Sequence, residues 1–445
     1  MRLRRFLPRL LALTYLLIPT ACAIAAPSLA AAATFAPPVA VDDSRPASEP
    51  GIMVDPLGRI FVNAPPGLPG PSYVWRSDDG GSTFVFAGPG TVGASPGGTG
   101  VVIGGGDSNL SADATGNLYF IDLWLGNSST AVSLNGGINW FGQPFGTVPI
   151  QDRPWVAADP VASRAGNVYS VTEQLGTGIF ISIAKPLAST VPSGLVYPVS
   201  VLEVSDADRG LVGTAPAGPM VTNQKGDTYN VYSVFTGSNG SGIGLSKLPN
   251  GALTTSNSQV TPAMSAHDQT QAFPVIAVDN AADDNLYVVW TDPISAADWE
   301  IRFASFNGST WSNAVTVGYG VYPWITADGA GKVDIGWYSA QRSGYTGDPN
   351  NGAAAHAVWD VDFAQSLNAL AATPSFTAAV QAATAVKSGN ICTGGTSCSA
   401  DRELGDFMSI AHDAAGNALL SYVEVRQPGT GLVRVVAQNG GSAIK

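Results

Sequence analysis

Seven times along the chain the same two-strand phrase returns. It is written "EPGIMVDPLGRIFVN", "SNLSADATGNLYFIDLW", "RPWVAADPVASRAGNVYSVTE", "GPMVTNQKGDTYNVYSV", "FPVIAVDNAADDNLYVVWTD", "YPWITADGAGKVDIGWYSA" and "FMSIAHDAAGNALLSYVEV". Each copy has a short apolar strand, an Asp or Asn, a tight turn and a second apolar strand. The anchors are Asp55, Asp113, Asp159, Asn223, Asp279, Asp328 and Asp413. An Asp in this place accepts backbone N–H bonds and opens the turn, and Gly or Asn supplies the left-handed conformations that follow. The second strands are rich in Tyr, Val, Ile and Trp, residues that suit a pleated, buried surface. A unit of this kind cannot bury its own apolar face, so copies must pack on one another.

Anchors 46 residues apart at the closest (Asp113 to Asp159) and 85 at the widest (Asp328 to Asp413) leave room for four strands per copy. The expected fold is all-β, a single β-propeller of seven four-stranded blades, with six as the alternative. A second hairpin follows the first in several copies, as in "YVWRSDDGGSTFVF", "TAVSLNGGINWFG" and "IRFASFNGSTWSNAV". The widest interval is read as one blade with insertions at Arg342 to Asn351 and around the cysteines. The segment Thr34 to Val41 resembles an outer strand and is expected to complete the last blade, which leaves no open edge. Only Phe363 to Ala372, "FAQSLNALAA", reads as a short helical turn. With 52 Gly, 31 Pro and 45% hydrophobic residues, the composition is turn-rich yet ample for a core.

Residues 1–25 read as an export signal, with cleavage as late as residue 33. Arg2, Arg4, Arg5 and Arg9 precede an apolar run from Leu10 to Ile18, followed by A-x-A sites. The propeller domain is then 34–445. The apolar run is too short to span a bilayer, and no later stretch reads as a membrane helix. Cys22 is a candidate lipid anchor, although Pro19 occupies the place where such a motif prefers Leu. The formal charge of −12 becomes about −16 once the four leader arginines are gone. Such a surface excludes nucleic acid as a partner, because phosphate binding needs basic patches. Cys392 and Cys398 enclose "TGGTS" and are expected to form a loop disulfide in an exported protein. The three His residues are scattered, so no zinc site is expected.

The stretch "SDDGGSTF" resembles the Asp-box, S-x-D-x-G-x-T-W, of the sialidase superfamily, also called the BNR repeat. Ser77, Asp79, Gly81 and Thr83 match, with Phe84 in the aromatic place. Ser133, Asn135, Gly137 and Trp140 form a second, altered copy, and Ser305 to Trp311 a shortened third. The resemblance implies that the box is a structural turn between outer strands, remote from any catalytic centre. It implies a secreted, monomeric protein that acts on or binds extracellular glycans, including as a glycoside hydrolase. In that family three Arg hold a substrate carboxylate, a Tyr–Glu pair is the nucleophile and an Asp the acid/base. The family's first Arg lies in an F/Y-R-I-P motif before the first box, and the corresponding region here reads "SRPASEP" and "LGRIFVN". A non-catalytic glycan- or protein-binding module therefore stays open as the alternative.

Repeat register gives an independent pointer. The residue just before each inner strand should face one mouth of the central channel. Read round the ring, that place holds Glu49, Asp107, Asp152 with Arg153, Ala217, Gln271, Tyr322 and Asp406. Carboxylates crowded at one mouth raise one another's pKa and suit acid/base work. Glycoside hydrolysis needs two carboxyls about 5 to 9.5 Å apart. On this reading Asp406 and Asp107 are acid and base, Arg153 clamps a substrate carboxylate, and Tyr322 faces the sugar or serves as nucleophile. Asp152, Gln271, Glu403 and Arg402 are substrate-binding, for a glycan or small-molecule ligand. Glu49 reads as structural. No cofactor is expected beyond a structural calcium near Asp283 and Asp284, or Asp360 and Asp362. Tyr345 and Asp348 lie in a long insertion that can serve as a lid.

Overall fold

The anchor residues close their hairpins as the residue types require. Asp413 Oδ1 accepts from the backbone N–H of Ala415 at 2.8 Å and of Asn417 at 2.9 Å, and Asn417 Nδ2 donates to Oδ2. Asp55, Asp113 and Asn223 do the same in their own turns. Asp113 and Asp279 also take the phenolic hydroxyls of Tyr119 and Tyr287, at 2.7 and 2.6 Å, which ties each turn into its neighbouring core.

The computed structural model describes residues 31–68, 70–89, 102–143, 150–184, 195, 197–210, 216–235, 241–260, 272–281 and 284–445. Among these, seven antiparallel sheets form a β-propeller. The inner strands are Gly51–Val54, Ser108–Ala112, Gln151–Ala158, Met220–Thr222, Val275–Val278, Val321–Ala327 and Ser409–His412, here the first strands of blades 1 to 7. Each packs on the next, and the seventh packs on the first, so the ring is closed. The order within blades 1 to 6 is sequential from the inside out. The alternative of six blades is thereby excluded.

Blade 7 takes its outer strands from the other end of the chain. Thr34 and Phe35 pair with Gly440 and Gln438, and Val39 and Ala40 pair with Val435 and Arg434. Apolar side chains of adjacent blades interlock between the sheets. Trp75, Trp140, Trp290, Trp337 and Trp359 are all fully buried there. The segment Phe363–Ala372 is not a helical turn at its start. Phe363 to Ser366 end the strand Val358–Ser366, which pairs along its length with Val333–Ser339. The Ala- and Leu-rich remainder, Leu367 to Ala372, lies in the turns that follow that strand. No described helix is long and apolar enough to cross a membrane.

The turns with the S-x-D-x-G pattern join the outer strands. Asp79 accepts from the backbone N–H and hydroxyl of Thr83 at 2.9 and 2.6 Å, and Ser77 Oγ accepts from Gly81 N–H at 2.9 Å. In the second copy Gly137 N–H reaches Ser133 Oγ at 2.8 Å, and buried Trp140 donates to the Ala87 carbonyl of blade 1. Arg76 donates to the Gly136 carbonyl at 2.8 Å, so the first two turns are bolted together.

Candidate active site at one mouth of the channel

Four side chains from the register position, Glu49, Asp107, Arg153 and Asp406, meet at one mouth, and Arg153 is their centre. Its Nη2 lies 2.6 Å from Glu49 Oε2, 2.9 Å from Asp107 Oδ1 and 3.5 Å from Asp406 Oδ2. Arg402 forks both oxygens of Asp406 and lies 3.5 Å from Glu49 Oε1. Blades 1, 2, 3 and 7 thus contribute to one cluster. Gly405 lets it close, because its backbone has φ of 70° and a Cβ there would meet Glu49 Cγ at 2.0 Å.

Backbone geometry aims the side chains. Glu49, Arg153 and Tyr322 have φ of 51°, 47° and 55°, in the left-handed region that non-glycine residues rarely enter. Each directly precedes a proline: Pro50, Pro154 and Pro323. In blades 3 and 6 the pairing register slips at this point, between Asp152 and Trp155 and between Val321 and Trp324. A bulge re-aims a strand end, and strain of this kind is retained where surrounding structure enforces it.

Beneath Arg153 the channel is closed by aromatic rings. Trp155, Phe273, Trp324 and Phe407 come from blades 3, 5, 6 and 7. Trp155 lies 5.3, 5.8 and 5.4 Å from Phe273, Trp324 and Phe407. The guanidinium sits over three of them, 5.0 Å from the Phe407 ring centre and 5.2 Å from that of Trp155. This floor excludes water from one face of the cation and adds cation–π attraction.

Above the cluster opens a cavity of about 610 Å³. Asp107, Asp152, Arg153, Tyr322, Arg402 and Asp406 line it, with Thr393, Gly394 and Gly395 of the cysteine loop as one wall. Cys392 and Cys398 are joined by a disulfide. The insertion supports that wall: Asn350 Oδ1 accepts from Thr393 N–H at 3.0 Å, and Ile391 N–H donates to the Pro349 carbonyl. Tyr345 donates to the Asp348 carbonyl at 2.6 Å and stands edge-on to Trp359, so both lie in the packed base of the insertion.

Electrostatics follow from burial and crowding. Glu49 is pushed up to about 8, first by burial, against the pull of Arg153, with Asp406 and Asp107 adding repulsion. Asp107 is pushed up to about 6 by burial, opposed by Arg153 and reinforced by Asp152 and Asp406, while a hydrogen bond with Glu49 favours its anion. The two acids form a pair with the proton held on the deeper one. Tyr322 is buried, its hydroxyl donates to the Cys392 carbonyl at 3.3 Å, and burial drives its pKa well above the ordinary phenol value.

Other expected residues lie elsewhere. Glu403 does not line the cavity, contrary to expectation. Lys387 Nζ holds one oxygen at 2.8 Å and the Gly429 N–H holds the other, so the side chain ties the cysteine loop to blade 7. Ala217 offers only its carbonyl, to Trp155 Nε1. Gln271, Asp283 and Cys22 lie outside the described residues. Asp360 is forked by Arg342, and Asp284 is engaged by Asn223 and Lys225. No group of three or more His, Cys, Asp or Glu among the described residues is placed to hold a metal ion. The anchor residues Asp55, Asp113, Asp328 and Asp413 line the opposite mouth, in a cavity of about 510 Å³. Glu49 is the residue that sequence reasoning undervalued, and its proline neighbour, shared with Arg153 and Tyr322, was the available signal.

Fold and site together define a seven-bladed propeller, plugged by aromatics, with an acid-rich pocket at one end. No protein-family description and no curated sequence matches the chain. Among solved structures it is similar to the polysaccharide lyase Uly1, with TM-score 0.50 and 9% identity over 89% of this chain and 90% of that one. An ulvan lyase bound to GlcA(1-4)Rha3S matches with TM-score 0.47 and 10% identity over 93% and 96%. The Hadza microbial sialidase Hz136 matches with TM-score 0.41 and 10% identity over 89% and 66%. At such identities the likeness is one of fold.

Proposed function

We propose that this protein is an exported glycoside hydrolase that cleaves neutral sugars at the Arg153 mouth, on an Asp-box propeller. A shared propeller fold decides no activity, so the reading rests on the side chains. One observation carries it: a single guanidinium nitrogen, Arg153 Nη2, contacts Asp107 and Asp406 at 2.9 and 3.5 Å beneath an open pocket. Those two oxygens are therefore no more than about 6.4 Å apart, the sum of the two distances. Paired carboxyls at close range, in unlike settings, are what acid-assisted glycoside cleavage uses.

In this mechanism Asp107, in the protonated form that its burial favours, donates its proton to the glycosidic oxygen as the C–O bond breaks. Asp406, oriented by Arg402, attacks the anomeric carbon and forms a glycosyl ester. Water then attacks that carbon, losing its proton to Asp107 and releasing Asp406. Arg153 acts as a positioning residue rather than a clamp. Its side chain is 4% exposed and its Nη2 already faces three carboxylates. A substrate carboxylate would meet Asp107, Asp152 and Asp406, and Arg402 beside them is already engaged by Asp406 and Glu49, which disfavours sialosides and uronates. Tyr322 shapes the wall, because burial opposes the phenolate that a nucleophile needs.

The test is a panel of p-nitrophenyl glycosides, neutral sugars and a sialoside, on the parent, Asp107→Asn and Asp406→Asn. The expected result is release from at least one neutral glycoside, reduced at least a hundredfold in both variants, and none from the sialoside. Release that survives in either variant removes the mechanism. No release, with glycan-array binding lost in Asp406→Asn, replaces the enzyme by a binding module.

A further inference from the structure

On the lip of the same pocket, four large aliphatic side chains stand in solvent. Leu68 is 48% exposed, Leu125 72%, Ile150 64% and Leu175 38%. Single exposed aliphatics are ordinary, but a contiguous group at a pocket is not. Leu68, Leu125 and Leu175 line the cavity together with Asp107 and Asp406. Ile150 joins them through the backbone, since its carbonyl accepts from Leu175 N–H at 2.9 Å and the Gly126 carbonyl accepts from Gln151 N–H at 3.0 Å. Loops of blades 1, 2 and 3 thus build one apolar ledge.

Two of these residues hold a conformation that their side chains oppose. Leu125 has φ of 43° and Ile150 has φ of 56°. Glycine would suit either place at no steric cost, and for a β-branched residue such a φ is a marked outlier. A chain that needed only a turn here would be more stable with glycine. Leucine and isoleucine bring nothing to the core at these places, so their exposed surface is what the strain sustains.

We propose that this ledge binds an apolar aglycone, so that the substrate class is a small glycoside with an alkyl or aryl group on its leaving side. The inference takes from the proposed function only the place of the sugar, in the pocket beside Asp107. The ledge is continuous with that pocket, which puts an aglycone and the glycosidic oxygen on one path. Four side chains fall far short of the ~800 Å² per partner of a stable protein interface. The pocket beside them sets Asp107, Asp152 and Asp406 against Arg153 and Arg402, so it offers no basic excess to gather an anionic lipid surface.

The experiment compares matched methyl and n-octyl β-D-glucosides, β-D-galactosides and β-D-xylosides by calorimetry on the full chain. The variants are Asp107→Asn, Leu125→Gly and Ile150→Gly. Glycine fits both φ values, so the last two variants remain folded, which a thermal melt verifies. The parent should bind at least one octyl glycoside at least tenfold more tightly than its methyl counterpart, a gain that a few buried methylenes supply. In Leu125→Gly and Ile150→Gly that ratio should collapse toward one, and in Asp107→Asn it should persist. Equal affinity of the two series, no binding of any octyl glycoside, or a ratio unmoved by both glycine variants each overturns the ledge. Octyl binding without hydrolysis by the parent defeats the proposed reaction and leaves the ledge standing. Hydrolysis with no octyl preference does the reverse.

Discussion

Arg153 Nη2 and Glu49 Oε2 lie 2.6 Å apart, although 104 residues separate them in sequence. Both side chains are 4% exposed. The pair locks the start of blade 1 to the start of blade 3 across the channel mouth. Asp406 N–H adds to it by donating to Glu49 Oε1 at 3.1 Å. A buried cation among acids stabilises little over an apolar substitute, but removing it leaves the acids around it uncompensated.

Arg153→Met should therefore destabilise the fold by about 3–5 kcal/mol. It leaves Glu49, Asp107 and Asp406 crowded with no buried cation. Urea unfolding at neutral pH measures the effect. A loss below about 1 kcal/mol, the range of exposed ion pairs, would show that the cluster does not hold the ring.

Glu49 makes stability depend on pH with a defined sign. Its folded pKa of about 8 lies above the ordinary 4.5. The folded state then binds more protons than the unfolded state between those values, so stability falls as pH rises from about 4.5 to 8. Glu49→Gln, which cannot titrate, should flatten the melting temperature across that window. An unchanged slope in the variant would assign the dependence to other groups.

Catalysis should carry its own descending limb. Asp107 titrates near 6, and only its protonated form can act as general acid. With a hydrolysed p-nitrophenyl glycoside, kcat/KM should fall as pH rises past about 6. Glu49→Gln should shift that limb, because it changes the partner that holds the proton. A profile flat from pH 5 to 8 would contradict the assignment of Asp107.

Much of the fold was legible because hairpin turns are local chemistry. An Asp followed by Gly-Asn states its hydrogen bonds in the sequence, as Asp413 to Asn417 show. Register then placed Glu49, Asp107, Arg153, Tyr322 and Asp406 at one mouth. Depth was not legible. Nothing local says that Glu49 is 3% exposed and Asp406 far more open, since that depends on how blades 1 and 7 pack. Glu403 shows the same limit in direction: it neighbours Arg402 in the chain, yet its carboxylate turns to Lys387. The strand at Phe363 to Ser366 was not legible either, because it is set by a tertiary partner. The ledge was invisible because strain at Leu125 and Ile150 is a backbone property with no residue signature.

Ring closure gives a prediction remote from the site. The strands Thr34–Phe35 and Val39–Ala40 are the outer pairing partners of Thr430–Gly440. Removing residues 31–41 exposes that edge and unties the last blade. An open edge of this kind recruits other chains. The truncated protein should melt lower and sediment as aggregates. A monomer of unchanged melting temperature would show that the closure contributes nothing.

The stereochemical course follows from a distance. Retaining glycosidases hold their carboxyls about 5 to 5.5 Å apart, whereas inverting ones leave about 6.5 to 9.5 Å for a water. Asp107 and Asp406 approach within about 6.4 Å at most through their shared contact with Arg153 Nη2. For these two oxygens that upper bound takes in the retaining spacing and reaches only the lower edge of the inverting range, which favours retention. Hydrolysis should accordingly give a product whose first-formed anomer has the configuration of the substrate. Proton NMR in the first minutes of reaction, before mutarotation, reads this directly. An inverted first product would mean that Asp406 is not the nucleophile, and the partner of Asp107 would have to be sought across the pocket.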